Sequence, residues 1–345
     1  MHFMSDNTAG IAPEILNAIA RVNDGREASY GNDKTTERLT LKFKEVFEIE
    51  VFVFPVTTGT AANALSIATL TPPYGAVFCH EGAHIHVDEC GAPEFYSGAK
   101  LVPVPGQHGK ITVNGLSAAL DHFQLGFVHH VQPATVSITQ ATELGTAYAP
   151  HEIKALSDLA KARGLKLHMD GSRFANAVAG GLYSPAELTW KSGVDVLSFG
   201  ATKNGAMAAE AVIFFDKSLL KDFPYREKRA GHLPAKMRFI SAQLEAMLDD
   251  GLWLKLAGKA NAMATKLAQG LEALPGVAVV HPTQANEVFF SLPNHDIRKR
   301  LEAKGAKFYV WSPPGIPEPL VRLVCSFATE TSEVDAMLAA VRSSL

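Results

Sequence analysis

The strongest constraint on this chain is a rhythm. Between residues 50 and 216, short apolar runs at 51–55, 76–79, 101–104, 127–131, 165–169, 194–199 and 211–215 alternate with stretches of helical periodicity. Parallel strands need a crossover to bring the chain back, usually a helix, so this alternation predicts βα units around a mostly parallel sheet. One crossover is explicit. In PHEIKALSDLAKARG (150–164), Ile153, Leu156 and Leu159 share one helical face and Gly164 stops the helix, just before the run that closes on Asp170. From about residue 241 the pattern becomes a long helical stretch, SAQLEAMLDDGLWLKLAGKANAMATKLAQGLEAL, which reads as a connector. Beyond it come strands at 277–280 and 286–291, a helix at 295–304, strands at 307–311 and 320–325, and a helix at 332–343: a small α/β lobe. The first 35 residues are polar and turn-rich and read as an arm that reaches across an interface. The expected division is therefore 1–35 for the arm, 36–240 for a large domain, and 241–345 for the connector helix and a small C-terminal domain.

With 345 residues, 47% hydrophobic and 19% charged, the chain can bury a full core and a second lobe. A net charge of −3 without a Lys/Arg block offers nothing to nucleic acid or an anionic membrane surface, so a small-molecule substrate is expected. No apolar stretch reaches the roughly 20 residues that cross a bilayer. The opening MHFMSDNTAG lacks the charged-then-apolar order of a secretory leader, which predicts a cytoplasmic protein. Cys79, Cys90 and Cys325 are odd in number and scattered, against a disulfide framework or a thiolate zinc site; Cys79 and Cys325 read as core.

Open α/β sheets place their chemistry at the carboxyl ends of strands. Asp170 closes LKLHMD, Lys203 follows VDVLSF, and TTGTAANALS (57–66) opens a helix after VFVFP. The last segment offers backbone N–H groups, the hydroxyls of Thr58 and Thr60, and Gly59 for close approach, a phosphate cradle at a helix N-terminus. A lysine and an aspartate on neighbouring strand ends beside such a cradle match the needs of pyridoxal phosphate. That cofactor binds a lysine as a Schiff base, and an acidic partner keeps its ring nitrogen protonated. Gly200, Ala201, Gly205 and Ala206 are expected to leave room around Lys203. His84 or His86 could lie flat on the cofactor ring. The same two histidines at i, i+2 also read as a metal pair on a strand, with His168 and Asp170 as further ligands, so a metal-dependent hydrolase stands as an alternative.

With these residues in hand, the chain resembles the L-threonine aldolase family (low-specificity type) of fold type I pyridoxal-phosphate enzymes. The resemblance is carried by SDNTAG (5–10), SYGND (29–33), TTGTAANALS, AHIHVDECGAPE (83–94), HMDGSRFANA (168–177), SFGATKNGAMAAEAVIF (198–214) and LVRLVCSF (320–327). It implies a large lobe with a mixed, mostly parallel sheet flanked by helices, and a small C-terminal α/β lobe. It implies retro-aldol cleavage of L-threonine or L-allo-threonine to glycine and an aldehyde. In that reading Lys203 carries the cofactor, Asp170 pairs with the pyridinium, His84 stacks on the ring, and Thr58, Gly59 and Thr60 hold the phosphate. Arg173 would contact cofactor and substrate; Arg322 and Ser5 would bind the substrate carboxylate, a task suited to a guanidinium fork. Tyr30 would be a lid. In REKRAGHLPAKMR (226–238), Lys228, Arg229 and Arg238 would reach the phosphate of a neighbouring subunit, in a homotetramer with active sites at a dimer interface.

Many family members carry a histidine in an ENTHN-like run before the central helix. This chain instead reads TQATELG (139–145), with Glu143 near the corresponding place. His84, His86, or Glu143 through a water are the candidates for removing the β-hydroxyl proton, and bulkier substrates such as phenylserine are implied as well. A β-eliminating lyase or an aminotransferase on the same fold is the alternative that keeps the cofactor.

Overall fold

The computed structural model describes residues 1–294, 296–311 and 320–345. Seven strands form the large sheet: β1 (Phe52–Val56), β2 (Gly75–His80), β3 (Lys100–Val104), β4 (Gln132–Thr139), β5 (Lys166–Gly171), β6 (Val196–Gly200) and β7 (Glu210–Phe214). Their order is β1-β7-β6-β5-β4-β2-β3. Every pairing from β6 through β3 is parallel, and β7 runs antiparallel to both of its neighbours. The carboxyl ends of β1, β2, β4, β5 and β6 therefore lie along one edge, as the sequence rhythm predicts. One run differs from expectation. Residues 127–131 form a loop, and the strand begins at Gln132. The Gln132 side chain organises that loop, accepting from the Gly126 N–H at 2.8 Å and donating to the His130 carbonyl at 3.0 Å, while Val128 is 90% exposed.

The helices that matter for the site are α1 (Pro13–Arg21), α2 (Lys34–Phe47), α3 (Gly59–Leu70), α4 (Pro150–Ala162), α5 (Arg238–Leu248), α6 (Leu252–Glu272), α7 (Asp296–Ala303) and α8 (Thr331–Arg342). Helix α3 is buried on nearly every side through Ala61, Ala62, Ala64, Leu65, Ile67 and Ala68. A helix apolar all round belongs inside a core, and the alanines let neighbours approach closely. The predicted long connector is two helices, α5 and α6. Asp250 and Gly251 take left-handed conformations, φ 50° and 66°, and break the ladder. Helix α6 then serves both cores: Trp253 and Ala257 pack beneath the large sheet, while Ala264, Leu267, Ala268 and Leu271 pack beneath the small one.

The small sheet comprises β8 (Ala278–Val279), β9 (Glu287–Ser291), β10 (Tyr309–Trp311) and β11 (Leu320–Val324), ordered β8-β9-β11-β10 with antiparallel pairing throughout. Side chains alternate between faces along a strand. Val288, Phe290, Val321 and Leu323 therefore face the core, and the register puts Glu287, Phe289, Tyr309, Trp311 and Arg322 on the other face. The N-terminus packs on this same chain. The Phe3 N–H donates to the Lys307 carbonyl, the Val324 N–H donates to the Phe3 carbonyl, and Phe3 is wholly buried in the small-sheet core. Ile15 and Ala18 of α1 join the large core. Cys79 and Cys325 are buried, as expected.

Candidate active site

Asp170 ends β5 and is buried. Its Oδ1 accepts from the Ser172 N–H at 2.9 Å and the Ser172 hydroxyl at 2.8 Å, and its Oδ2 accepts from Asn63 Nδ2 at 2.8 Å. Burial pushes the carboxyl pKa up, but the charges of His84 and Lys203 and the Ser172 bonds outweigh it, leaving the pKa below the usual range. Lys203 sits on a single 3-10 turn, Thr202–Asn204, directly after β6. Its ammonium has no hydrogen-bond or ion-pair partner among the described residues. Asp170, Asp6, Glu210 and Glu287 all feel its charge. Gly200 was expected to clear space for Lys203. Its hydrogen serves the neighbouring loop instead, since a Cβ there would lie 2.5 Å from the Ser172 carbonyl oxygen. The missing side chain thus lets the Asp170 and Lys203 loops touch.

The third strand end is the cradle. Thr58 caps α3 by accepting from the Ala61 N–H at 3.1 Å. The N–H groups of Gly59 and Thr60 keep no acceptor among the described residues, which leaves two donors at a helix N-terminus for an anion.

His84 opens a one-turn helix, His84–Val87. Its Nδ1 lies 2.8 Å from Glu89 Oε1, and its backbone N–H donates to Glu143 Oε1 at 2.8 Å. The hydrogen bond to Glu89 raises the His84 pKa. Asn63 Nδ2 also donates to Glu89 Oε1 at 2.8 Å, so a continuous chain runs His84–Glu89–Asn63–Asp170. Glu143 Oε1 accepts a second bond from the Thr139 hydroxyl, while Oε2 is buried without a partner. Burial pushes the Glu143 pKa up to about 7. Glu210, at the head of β7, accepts from the Ala201 N–H at 3.0 Å, and burial likewise raises its pKa to about 7.

Opposite these strand ends stands the small lobe. Arg173 forks onto Asp6 at 2.8 and 3.1 Å, and its Nη1 lies 3.3 Å from Glu287 Oε2. Asn286 Nδ2 also donates to Asp6, at 2.9 Å. The Arg322 guanidinium lies 5.1 Å from the ring centroids of both Tyr309 and Trp311. It donates to the Met4 carbonyl at 3.5 Å, and its Nε is buried without a partner.

This geometry has relatives. Residues 2–294 match the family described as Beta-eliminating lyase. The low specificity L-threonine aldolase of Pseudomonas aeruginosa is 44% identical over 342 residues, covering 99% of this chain and 96% of that protein. The low specificity L-threonine aldolase of a Pseudomonas species is 43% identical over 343 residues, covering 99% and 97%. The chain belongs to the β-eliminating lyase family. A solved structure of Leishmania major threonine aldolase superposes with a TM-score of 0.92 at 30% identity, covering 99% of this chain and 98% of that one. The fold is that of the fold type I enzymes, and the β-eliminating lyase and threonine aldolase families depend on pyridoxal phosphate.

Within this β-eliminating lyase fold, some expected residues stand apart from the strand-end cluster. Tyr30 is half-exposed with Lys228 Nζ 4.7 Å above its ring, and its N–H donates to the Ala235 carbonyl. Arg238 starts α5 over the Phe239 ring and donates to the Gly25 carbonyl. Arg229 ends the helix Phe223–Arg229. No described contact joins these groups to the cradle within one chain. The Ser5 hydroxyl accepts from the Asn7 N–H, while its neighbour Asp6 makes the contact to Arg173. The expectation of a His84/His86 metal pair on a strand is overturned. The segment is helical, so residues two apart diverge by about 200°, and His86 points to solvent. His168 is equally unsuited, since its ring nitrogens meet the hydroxyls of Ser137 and Ser198, each at 2.9 Å. Burial lowers its pKa to about 4. Among the described residues no group of three or more His, Cys, Asp or Glu could hold a metal ion.

Asn63, Glu89, Asp6, Glu210 and Glu287 are site residues that sequence reasoning missed. Their signal is a polar residue where its neighbours are small or apolar: Asn63 inside GTAANALS, Glu210 heading EAVIF, Glu287 heading EVFFS.

Proposed function

We propose that this chain cleaves L-threonine, L-allo-threonine and other β-hydroxy-α-amino acids such as phenylserine to glycine and an aldehyde, with pyridoxal 5'-phosphate on Lys203. The observation that carries the reading is the pairing of Lys203, without a partner among the described residues, with Asp170, held ionised on the adjoining strand end. The donor set fits the cofactor: a free ammonium, a fixed carboxylate for a protonated ring nitrogen, and the unused N–H groups of Gly59 and Thr60 for its phosphate. The names of the relatives that span this chain support the substrate class. When bound, the cofactor supplies an electron sink for the Cα–Cβ bond.

The chain's own residues do the rest. Asp170 keeps its charge because the charges of His84 and Lys203 and the Ser172 bonds outweigh burial. His84, fixed in orientation by Glu89, would stack on the cofactor ring. Arg322, 5.1 Å from the ring centroids of Tyr309 and Trp311, receives the substrate carboxylate, with the Ser5 hydroxyl on the N-terminal turn and Arg173 braced by Asp6. Orientation then selects which Cα bond breaks. Glu143 Oε2 takes the β-hydroxyl proton, directly or through a water; a carboxyl titrating at about 7 suits a base at neutral pH. We further propose a cytoplasmic homotetramer in which Tyr30, Lys228, Arg229 and Arg238 serve a neighbouring subunit's site, and a division into the N-terminal segment 1–35, the large domain 36–240 and the connector with small domain 241–345.

The test is direct. Purified protein reconstituted with pyridoxal phosphate should absorb in the visible and release acetaldehyde from L-threonine. Lys203→Ala should lose both the covalent chromophore and turnover. A Lys203→Ala protein with full aldolase activity would refute the assignment.

A further inference from the structure

We propose that Glu287 is a proton-linked counter-ion for the substrate carboxylate, taking a proton from solvent when that carboxylate docks at Arg322. The inference rests on the carboxylate-binding role given to Arg322 above.

The argument begins with charge. Arg173 and Arg322 bring two positive charges to the small-lobe wall, and Asp6 and Glu287 bring two carboxyls. Asp6 is committed, because it holds the Arg173 fork at 2.8 and 3.1 Å and also accepts from Asn286. Glu287 is not. Both of its oxygens are buried with no hydrogen bond among the described residues, and its ion-pair partner Arg173, whose Nη1 stands at 3.3 Å, gives its Nε and Nη2 to Asp6. Arg322 attracts Glu287 across the sheet face, yet its Nε has no partner among the described residues and its guanidinium lies 5.1 Å from two aromatic rings. Arg322 is thus poised to receive an external carboxylate.

With Lys203 taken up by the cofactor in the holoenzyme, such a ligand would be a third anion against two guanidinium groups. Like charges brought together in a buried site raise proton affinity, and the carboxyl with the fewest hydrogen bonds yields first. Asp6 is held ionised by the Arg173 fork, and Asp170 by the charges of His84 and Lys203 and the Ser172 bonds, so the proton goes to Glu287. The groups around Glu287 leave no other route to neutrality. Arg173 lies after β5, Asp6 on the N-terminal turn, Lys203 after β6 and Arg322 on β11. The loop carrying Glu143 packs against it at Gly145, where a Cβ would lie 2.9 Å from the Glu287 carbonyl oxygen. Helix α6 covers the opposite face of β9. Burial of Glu287 raises its pKa even before a ligand arrives.

The probe is 3-hydroxybutyrate, which is threonine with its amino group replaced by hydrogen, so no amine chemistry adds protons of its own. Calorimetry on the holoenzyme in two buffers of different ionisation enthalpy counts the protons taken up. Wild type should take up as much as one proton, and its Kd should rise by up to about tenfold per pH unit above the titration of Glu287. Glu287→Gln should abolish both the uptake and the pH slope while binding the ligand more tightly at pH 8. Binding by wild type without proton uptake would overturn the proposal, and so would Glu287→Gln with uptake unchanged. Arg322→Leu separates the two readings. If that variant binds 3-hydroxybutyrate as well as wild type, the carboxylate site itself is misassigned and the inference falls with it. Loss of binding in Arg322→Leu combined with no proton uptake in wild type would refute the inference alone.

Discussion

At the strand-end wall Asp170 receives three hydrogen bonds; at the small-lobe wall Glu287 receives none from the described residues. Burial does not separate them, since the two residues are 2% and 1% exposed. Both also feel the charge of Lys203. Charge and donors together make the difference. The charges of His84 and Lys203 and the Ser172 bonds stabilise the ionised form of Asp170 more than burial penalises it, whereas at Glu287 burial prevails over the charges of Arg173, Arg322 and Lys203. One active site therefore contains a permanent negative charge and an adjustable one, made from the same functional group.

The sharpest way to break this comparison is to remove the permanent charge. Asp170→Asn keeps the shape but cannot hold a ring nitrogen protonated. We expect kcat to fall by about 10²- to 10⁴-fold, the range associated with a positioned acid or base, while the cofactor still binds. A fall of less than tenfold in steady-state assays would show that the fixed charge is dispensable.

The permanent side of the comparison was legible in the sequence and the adjustable side was not. Asp170, Lys203 and Gly59 each follow a β-rich run and precede a turn, so their place at a sheet edge is a local pattern. The partners that tune them arrive from far away: Asn63 is 107 residues from Asp170, Asp6 is 167 from Arg173, and Asn286 is 280 from Asp6. Periodicity cannot report such pairings. It also left a His84/His86 metal pair open as an alternative, because a two-residue spacing means one face only in a strand, and the segment is helical. The left-handed Asp250 that divides the connector was equally hidden inside an otherwise helical pattern.

A second experiment makes the strand-end wall resemble the small-lobe wall. Asn63→Ala withdraws a donor from Asp170 and from Glu89 at once. Leaving two buried carboxylates short of a bond should cost about 2–6 kcal/mol, from roughly 1–3 per unsatisfied group. Urea unfolding of the variant measures it. Alanine's better helix propensity alone predicts a slight gain, so unchanged stability would mean that the chain to Asp170 carries no weight.

Glu143 lies between the extremes, with one oxygen bonded twice and the other not at all. Its pKa is raised from 4.5 to about 7. The folded state therefore binds more protons than the unfolded state within that window, and stability falls as pH rises from about 4.5 to 7. Glu143→Gln retains an acceptor and cannot ionise. Its stability curve should lose that decline, a difference on the order of 2–3 kcal/mol by pH 8. Parallel curves for variant and wild type would place Glu143 with Asp170 rather than with Glu287.

The smallest effect concerns His84, where the strand-end wall tunes a base rather than an acid. The Glu89 hydrogen bond is the largest reason that its pKa is raised, followed after burial by the charge of Asp170. For a raised histidine the stabilisation is complete below about 6.5 and is lost as pH rises through the folded value. Glu89→Gln removes the charge but keeps an oxygen or an amide within reach of Nδ1. The His84 midpoint, followed by NMR of its ring protons, should move to lower pH, and the limb of the rate profile that depends on it should move the same way. If the midpoint stays in place, Asp170 alone sets the proton affinity of His84, and the chain through Asn63 serves to orient the ring without tuning it.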